Sequence, residues 1–492
     1  MSTDKTDSQL SEQIAKAAQR RRQRYPDAYR APELQTISGW INKGESGCVV
    51  GLPGIGRSTL LDFLYHRPKI LAKYLTVPLE TVAIIPVDLN ILPDATAATM
   101  YRVILRAFYW ARHQFGDQLQ QIITAYYQEH ANAHDPFLPQ SALLELLALF
   151  QARETRLIWI LNHFDEFLKI ATPEMTRTLR SLRDGYKGTL FYLIGMLTEM
   201  AHLPDQEIGR PLYDILDINV YWVGPLSQPD ADHMVRRELR TAVPPPNAED
   251  MQMLWRLTGG HPTLIRVAAH AWAATNRQEN PAQWIEMLLA QRNVQYRLTR
   301  LWDSLTQEEQ FALSELQKEQ MVSSATQADE NDSKKQKRLQ AIETLHYDAL
   351  LSLQKKGVCC RANDKWTIFS TLFSTYVAQV EGRSRGRIWE DTHTNELFQG
   401  RTLLTGLAPL EREALRFFVQ YPRVQHTYTS IFEAAWPEDV QHAAASNESI
   451  QQVIRGIRKK IEPNPGKPVY VVTWRGQPEG GYQFFPEGRP KG

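Results

Sequence analysis

The amino-acid sequence predicts a multidomain chain in which an α/β part is followed by an α+β part. Three observations favour this fold class. Apolar runs alternate with helical patterns between residues 25 and 204, a glycine-rich loop follows the first apolar run, and three amphipathic helix patterns precede a hairpin pattern that ends near residue 488. Continuous apolar strands separated by helices are typical of a parallel sheet that is covered on both faces.

The whole chain has the composition of a globular protein and is too long for one ordinary core. Its 492 residues are 43% hydrophobic and 23% charged, with a formal net charge of +1. This balance predicts about three domains and no overall basic field, so a nucleic-acid surface has to be local. The cysteines give neither a disulfide framework nor metal-ligand spacing, and no apolar run approaches the length of a membrane helix. We therefore expect a cytoplasmic protein without a membrane partner.

Changes of pattern along the chain predict its domain boundaries. The predicted segments are a basic polar tail at 1–24, an α/β core at 25–204, a helical lid at 205–300, a helical module with a short hairpin at 301–382, a linker at 383–400 and a separate unit at 401–488. The tail ends in QRRRQR, which favours a solvated helix end, with contact to phosphate or lipid as the alternative.

A glycine-rich loop between an apolar strand and a helix marks a candidate phosphate site. The stretch GLPGIGRS matches the P-loop pattern G-x-x-x-x-G-K-[ST], except that Arg57 replaces the lysine. In such a loop the backbone N–H groups surround phosphate oxygens, and the following helix presents its positive end to the anion. A Gly/Pro turn without a ligand is the alternative. The candidate nucleotide-binding residues of this loop are Gly51, Gly54, Gly56, Arg57, Ser58 and Thr59.

The residues after the third apolar strand bear on hydrolysis. A hydrolysing P-loop enzyme needs a carboxylate there to hold Mg²⁺, but the strand runs into Asn162 and His163. Asp165 and Glu166 follow, and they reach the site only if the strand extends through Phe164. Because carboxylates also favour a helix start, a solvated helix start is the alternative. The candidates are Asp165 and Glu166 for catalysis, and Ser58 and Asp165 for Mg²⁺.

The core and lid together resemble the AAA/STAND-type signal-transduction ATPases. The segment YRAPELQTISGWI matches the family through Arg30 and Glu33, LIWILNHFDEFL resembles a segment that commonly carries Asp-Glu-Phe-Asp, and TGGHPTLI resembles its lid. The resemblance implies that Pro262 lies near the adenine of ATP or ADP, and that Asn162 and His163 replace the family's Asp-Glu pair. A nucleotide-dependent switch or a relic is therefore expected rather than a fast ATPase. The following module resembles the helical winged module that often succeeds such ATPases.

The C-terminal unit carries the pattern of a nucleic-acid reader. Its third helix, SNESIQQVIRGIRKKIEP, repeats apolar residues at helical spacing, which predicts a buried stripe formed by Ile450, Val453, Ile454, Ile457 and Ile461. The opposite face is rich in amide and basic side chains, which pair with base edges and phosphates. A solvated basic face is the alternative. The candidate DNA-binding residues are Gln451, Gln452, Arg455, Arg458, Lys459 and, in the hairpin, Arg475.

This order of elements resembles the winged helix-turn-helix output domain of the OmpR/PhoB-type response regulators. The resemblance implies that the third helix enters the major groove of double-stranded DNA and that the hairpin wing touches the backbone or minor groove. Gly456 departs from the family, which usually has a larger residue there, and a glycine inside a helix costs about 1 kcal/mol relative to alanine. The wing tip GQPEGG is longer than usual, and its Glu479 is expected to repel phosphate.

The patterns together predict a DNA-binding regulator whose nucleotide-sensing core hydrolyses ATP poorly or not at all. The predicted architecture is a P-loop parallel-sheet core with a helical lid, a helical winged module and a C-terminal winged helix. Two other functions stay open. One is an active ATPase switch that uses Arg57 with Asp165 or Glu166, and the other is a defence or mobile-element adaptor that acts through protein partners. A homo-oligomer or a protein partner is also expected.

Overall fold

The computed structural model describes most of the chain. The described residues are 25–133, 135–203, 206–242, 245–274, 281–325, 332–362, 365–381, 386–391, 394–400, 402–436, 447–476 and 479–489, so the tail predicted at 1–24 lies outside them. They divide into a first compact unit, within Met1–Gln310 and Glu343–Thr371, and a second, within Phe311–Ile342 and Leu372–Gly492. None of the described helices is long and apolar enough to cross a bilayer.

A parallel sheet forms the centre of the first unit. Its strands are β1 (Gly47–Val50), β2 (Val82–Pro86), β3 (Arg156–Asn162), β4 (Leu190–Met196) and β5 (Val220–Trp222). Within the described residues this is a five-stranded sheet in the order β2-β3-β4-β1-β5, and every neighbouring pair is parallel. The parallel-sheet core predicted from the sequence is therefore confirmed. Strand β5 is not predicted, because three residues are too short to show a period.

Helices cover this sheet and continue through the residues predicted to form a lid. They are α1 (Ala31–Lys43), α2 (Arg57–His66), α3 (Pro68–Leu71), α4 (Ala97–Ala111), α5 (Asp117–His130), α6 (Phe137–Ala152), α7 (Phe164–Leu168), α8 (Pro173–Gly185), α9 (Gln206–Gly209), α10 (Tyr213–Leu216), α11 (Gln228–Glu238), α12 (Ala248–Thr258), α13 (Pro262–Ala274), α14 (Pro281–Ala290) and α15 (Arg292–Asp303). Strands β1 and β4 are buried at every residue, and β3 is buried at all but its first and last residues. This burial explains why their sequences are continuously apolar.

The helical module predicted at 301–382 is divided between the two units. It comprises α16 (Gln307–Ala325), α17 (Asp332–Leu345), α18 (Tyr347–Lys355), β6 (Cys359–Ala362), β7 (Lys365–Ile368) and α19 (Thr371–Glu381). Residues 343–371 belong to the first unit. There Lys356 forms a buried 2.6 Å ion pair with Glu309, and the Ser370 hydroxyl donates a 2.6 Å hydrogen bond to the carbonyl of Leu257 in α12. These buried contacts are why the hairpin packs with the lid.

The second unit contains two small antiparallel sheets and the C-terminal helices. Its elements are β8 (Ile388–Asp391), β9 (Glu396–Gln399), β10 (Thr402–Leu403), α20 (Pro409–Gln420), β11 (Gln425–Thr427), α21 (Tyr428–Ala435), α22 (Asn447–Ile461), β12 (Val471–Trp474) and β13 (Gly481–Phe484). The sheets have the strand orders β10-β9-β8 and β11-β13-β12. Helices α20 to α22 followed by the β12–β13 hairpin form the winged-helix arrangement that the sequence predicts.

The linker predicted at 383–400 is largely folded. Strands β8 and β9 pair there with Ile388 opposite Gln399, and Ile388 and Leu397 are buried in the same apolar cluster as the C-terminal helices. The Gln399 side chain also donates a 2.8 Å hydrogen bond to the carbonyl of Ile461 at the end of α22. The sequence hides these strands, because their few apolar residues are interrupted by charged ones.

Helix α22 buries the isoleucine stripe that its sequence predicts. Ile450, Ile454, Ile457 and Ile461 are each no more than 2% exposed, and Val453 packs against the same cluster. A Cβ atom on Gly456 would lie 1.9 Å from Oε1 of Glu411. That carboxylate accepts a 2.8 Å hydrogen bond from the backbone N–H of Ala408 at the start of α20. The unusual glycine of the third helix therefore makes room for a side chain that caps the first helix.

Candidate functional site

The glycine-rich loop connects β1 to α2 at the carboxyl edge of the sheet. The N–H of Gly51 donates a 3.1 Å hydrogen bond to the carbonyl of Met196 at the end of β4. Gly54 and Gly56 have φ values of 80° and 96°, which only glycine adopts readily. A Cβ atom on Gly54 would also lie 2.3 Å from the hydroxyl oxygen of Thr263 in α13. The loop is thus a close-fitting turn that needs its glycines, immediately before a helix N-terminus, where phosphate is favoured.

Arg30 holds this loop from behind. Its side chain is 1% exposed, and its Nη2 donates a 2.7 Å hydrogen bond to the carbonyl of Ile55 within the loop. Its Nη1 donates to the carbonyl of Gly224, just after β5, and pairs with Glu33. Arg30 is therefore a positioning residue for the loop.

Arg57 is buried at the bottom of the loop instead of projecting from it. The side chain is 5% exposed, and Nη2 lies 3.4 Å from Nδ1 of His163. Nε and Nη1 are buried without a hydrogen-bond partner among the described residues. Burial lowers the pKa of Arg57 from its usual value, and the charge of Asp165 opposes this shift. Because unpaired buried donors are costly, the guanidinium is suited to an anionic ligand.

Strand β3 ends at Asn162, so it does not extend through Phe164. The side chain of Asn162 accepts a 3.0 Å hydrogen bond from the N–H of His163. His163 has a left-handed backbone with φ 55°, and its Nε2 lies 3.3 Å from the hydroxyl of Ser58. Neutral side chains therefore occupy the two positions where the sequence resemblance expects carboxylates.

Asp165 and Glu166 lie in the first turn of the short helix α7. Glu166 is exposed, and its carboxylate accepts 2.9 Å hydrogen bonds from Lys169. Asp165 is half-buried, and its Oδ1 is buried without a hydrogen-bond partner in the described part of the chain. Asp165 thus remains directed to the site, whereas Glu166 is engaged by a neighbouring lysine.

An open cleft of about 480 Å³ joins these groups to the lid. It is lined by the predicted residues Gly54, Gly56, Arg57, Ser58, Thr59, Asp165, Glu166 and Pro262, while Gly51 lies outside its lining. Sequence reasoning missed His163 as a neighbour of Ser58 and missed the lining residues Thr263, Arg266 and Arg300. Arg266 follows Pro262 by one helical turn, so the sequence could have indicated that it faces the same site. Nothing in the sequence indicates this for Arg300. The arginines add positive charge to a cleft that suits phosphate.

Mg²⁺ fits these residues poorly. Mg²⁺ prefers oxygen ligands in near-octahedral geometry, but the predicted ligand Ser58 is next to an imidazole nitrogen and a guanidinium lies beside the same ring. In the described residues, no group of three or more His, Cys, Asp or Glu side chains is placed to hold a metal ion. The phosphate part of a nucleotide fits the loop, whereas the metal part does not.

His261 closes the inner wall of the loop. It is 2% exposed and precedes Pro262, and a Cβ atom on Gly54 would lie 3.2 Å from its ring. Complete burial lowers the pKa of His261 to about 4. The ring is therefore neutral at physiological pH, which keeps a second positive charge away from Arg30.

Helix α22 presents a polar face to solvent. Four of the predicted DNA-binding residues are exposed along it: Gln451, Gln452, Arg455 and Lys459. Arg475 is also exposed, immediately after β12 in the hairpin wing. The spacing of the four helical residues places them on one side, opposite the isoleucine stripe. This face can hydrogen-bond to base edges and phosphates.

Arg458 is held within the domain. It is half-buried, and its Nε and Nη2 donate hydrogen bonds of 2.9 and 2.6 Å to the carbonyl of Val471 in β12. Its Nη2 also donates to the hydroxyl of Thr473, and its guanidinium lies 5.3 Å from the ring centre of Tyr482. Arg458 therefore connects α22 to strand β12 of the wing through hydrogen bonds.

Two carboxylates shape the wing. Glu462 accepts backbone hydrogen bonds from the N–H groups of Val469, Tyr470 and Val471, and so holds the turn between α22 and β12. Glu479 accepts hydrogen bonds from the backbone N–H and hydroxyl of Thr429 in the first turn of α21. The acidic wing residue is therefore docked on a helix N-terminus.

Residues 403–484 match the family described as "Transcriptional regulatory protein, C terminal". This match confirms the predicted resemblance to the OmpR/PhoB-type output domain. The transcriptional-regulator domain includes α20, α21, α22 and the wing, and so contains all the predicted DNA-binding residues. Its partner strands β8 and β9 precede the matched range.

Two curated relatives match this domain. The transcriptional regulatory protein YvrH of Bacillus subtilis is 34% identical over 74 residues, which are 15% of this chain and 29% of the relative. A probable transcriptional regulatory protein of Picosynechococcus is 32% identical over 78 residues, which are 16% of this chain and 29% of the relative. The chain thus spans less than a third of the length of these relatives.

Solved structures resemble a longer part of the chain at low identity. Cdc6p from Pyrobaculum aerophilum is 12% identical, with a TM-score of 0.33, over 71% of this chain and 92% of that one. A Walker-type ATPase of Pyrococcus abyssi is 13% identical, with a TM-score of 0.37, over 70% of this chain and 94% of that one.

Proposed function

We propose that this protein is a DNA-binding regulator whose P-loop core binds ATP or ADP and hydrolyses it slowly or not at all. The observation that carries the proposal is the exposed face of α22 in the transcriptional-regulator domain, with Gln451, Gln452, Arg455 and Lys459 on one side. A helix of this kind fits the major groove, where amides pair with adenine and guanidinium groups with guanine.

The cleft at the glycine-rich loop supports the nucleotide half of the proposal. The backbone N–H groups from Gly54 to Thr59 and the side chain of Arg57 would hold the phosphates, and Pro262 would lie beside the adenine. Hydrolysis is slow in this proposal because Asn162 stands where a carboxylate is needed. In this proposal, the residues of the cleft bind and orient the nucleotide.

A STAND-like switch follows if the nucleotide prefers one arrangement of the core and lid. A ligand shifts a conformational equilibrium only by its differential affinity for the two states. The lid contributes Pro262, Thr263 and Arg266 to the cleft, so it is the element whose position the nucleotide would fix. The switch would then control oligomerisation of the protein or exposure of its transcriptional-regulator domain.

DNA binding is tested by fluorescence anisotropy with a random-sequence duplex across a series of salt concentrations. The expected affinity falls steeply with salt, because phosphate contacts release counterions. The Lys459→Ala variant is expected to lower the salt slope by about one, as for one lost phosphate contact. Arg412→Ala removes an exposed cation from α20 instead and serves as the matched control. Affinity that does not depend on salt, or equal losses in both variants, contradicts the proposal.

The two alternatives predict different outcomes. An active ATPase switch would release phosphate in a Mg²⁺-dependent reaction that decreases in Arg57→Ala and Asp165→Asn. The observation in its favour is Oδ1 of Asp165, which has no hydrogen-bond partner among the residues that the structure describes. A defence or mobile-element adaptor that docks on proteins would retain no duplex even at low salt.

A further inference from the structure

Beneath the glycine-rich loop, a positively charged side chain of the protein occupies the end of the cleft. Arg57 lies there, 3.4 Å from His163, at the point where Asn162 of β3 pairs with Gly195 of β4. A Cβ atom on Gly195 would lie 3.4 Å from Nε of Arg57 and 2.6 Å from the side-chain oxygen of Asn162. The guanidinium is therefore packed against the ends of β3 and β4, next to Asn162, which stands where the metal-binding carboxylate is expected.

The guanidinium has unused hydrogen-bonding capacity at this place. The side chain is only 5% exposed, and its Nε and Nη1 are buried without a hydrogen-bond partner among the described residues. It lines the cleft together with Ser58 and the loop glycines. Buried donors of this kind favour a ligand that accepts their hydrogen bonds, and guanidinium groups suit phosphate oxygens.

The surrounding side chains suit one positive charge and not a second. Asp165 attracts Arg57, while Glu166 is paired with Lys169. The hydroxyl of Ser58, which would bind a metal ion, lies 3.3 Å from Nε2 of His163. A divalent cation placed here would be repelled by the guanidinium, and among the described residues that line the cleft it would meet one carboxylate, Asp165, besides the lysine-paired Glu166.

We propose that Arg57 takes the place of the divalent cation, so that the cleft binds a nucleoside di- or triphosphate without Mg²⁺. The guanidinium donates to the phosphate oxygens from below the loop, and Asp165 balances its charge. This inference rests on the proposed nucleotide-binding function, because it concerns the same site.

Calorimetric titration of the full chain with ADP and with ATP, each in EDTA and in excess Mg²⁺, tests the inference. The expected dissociation constants in the two conditions agree within about threefold, which corresponds to less than one decade of affinity. A loss of about tenfold or more in EDTA overturns the inference and leaves the proposed function standing. An absence of binding heat in both conditions overturns the proposed function itself.

A double variant provides a second test. Arg57→Lys with Asn162→Asp replaces the broad guanidinium by a compact ammonium and introduces a carboxylate after β3, so nucleotide affinity is expected to become Mg²⁺-dependent by about tenfold. Arg292→Lys changes an exposed arginine of α15 that does not line the cleft, and binding by this control is expected to stay Mg²⁺-independent. Thermal unfolding confirms that each variant is folded. A folded double variant that binds equally well in EDTA and Mg²⁺ contradicts the assignment of Arg57.

Discussion

Nη2 of Arg30 lies 2.7 Å from the carbonyl oxygen of Ile55 and donates a hydrogen bond to it. The same side chain also donates to the carbonyl of Gly224 and pairs with Glu33. One fully buried arginine therefore connects the segment before α1, the glycine-rich loop and the residues after β5. The shape of the loop depends on this side chain as much as on the glycines.

Substitution of Arg30 by methionine should destabilise the first unit strongly. Removal of one member of a buried ion pair leaves Glu33 and two carbonyls without a partner, which typically costs about 3–5 kcal/mol. Lys73→Met removes the exposed pair with Asp27 and should cost less than about 1 kcal/mol. Urea unfolding followed by tryptophan fluorescence measures both. Similar shifts of the midpoint in the two variants would show that Arg30 has no special structural role.

Substitution of Gly54 by alanine should weaken nucleotide binding. The residue has φ 80°, and a Cβ atom would overlap the hydroxyl of Thr263, so the loop has to move from the geometry that surrounds phosphate. We expect the dissociation constant for ADP to rise by about tenfold or more. Gly39→Ala, in the interior of α1 with open space around it, is the control and should leave it unchanged. Calorimetry on both variants decides the matter, and equal affinities would contradict the expectation.

The two arginines of α22 should respond differently to alanine substitution. Arg455 is exposed, so Arg455→Ala should lower DNA affinity without lowering the thermal midpoint of the transcriptional-regulator domain. Arg458 donates hydrogen bonds to Val471 and Thr473, so Arg458→Ala should lower the midpoint by several degrees, equivalent to about 1–3 kcal/mol. Calorimetric melting and anisotropy on the same samples separate the two effects. A stable Arg458→Ala protein with lost DNA affinity would instead place Arg458 on the DNA.

Stability should fall in mildly acidic solution because of His261. Burial depresses its pKa from 6.5 to about 4, so its contribution is complete above pH 6.5 and is lost as the pH falls toward 4. Between pH 7 and pH 5 this loss amounts to about 2 kcal/mol. His261→Leu should reduce the pH dependence of the unfolding free energy by that amount, whereas the exposed His113→Leu serves as the control. Urea titrations at the two pH values measure it, and an unchanged dependence in His261→Leu would contradict the assignment.

Neutralisation of Glu479 should strengthen the binding of DNA. Its carboxylate accepts hydrogen bonds from the first turn of α21 and places a negative charge on the wing, where it repels phosphate. Glu479→Gln should raise affinity by a few-fold at low salt, with a smaller effect at high salt because of screening. Glu396→Gln removes an exposed charge from β9 and tests whether net charge alone is responsible. Weaker binding in Glu479→Gln would mean that its contact with Thr429 matters more than its charge.

Local sequence patterns predicted the parts of the fold that depend on local physics. The loop between β1 and α2 follows from its glycines, and the buried stripe of α22 follows from isoleucines at helical spacing. The boundary of β3 decided how Asp165 and Glu166 are placed. An apolar run followed by asparagine and histidine leaves that boundary open, so only the structure shows that the strand ends at Asn162.

Long-range contacts could not be predicted in the same way. The sequence around Arg30 does not indicate that its side chain hydrogen-bonds to the carbonyl of Gly224. The sequence around Gly456 does not indicate that the side chain of Glu411 packs against that glycine. Helical periodicity places Arg458 on the polar side of α22, but it does not show that the wing folds close enough to take its hydrogen bonds. The apolar residues of β8 and β9 could not be assigned to strands from the sequence, because they are explained by their packing in the apolar cluster of the C-terminal helices.

The division of the module at 301–382 has a consequence for the backbone. The chain passes from the first unit to the second after Gln310, returns after Ile342 and leaves again after Thr371. Because the chain is linear, a protease cut after Thr371 leaves residues 372–492 as a separate polypeptide, which stays attached through its packing with the described part of Phe311–Ile342 inside the second unit. Release of the transcriptional-regulator domain after such a cut would therefore also require the packing inside the second unit to come apart.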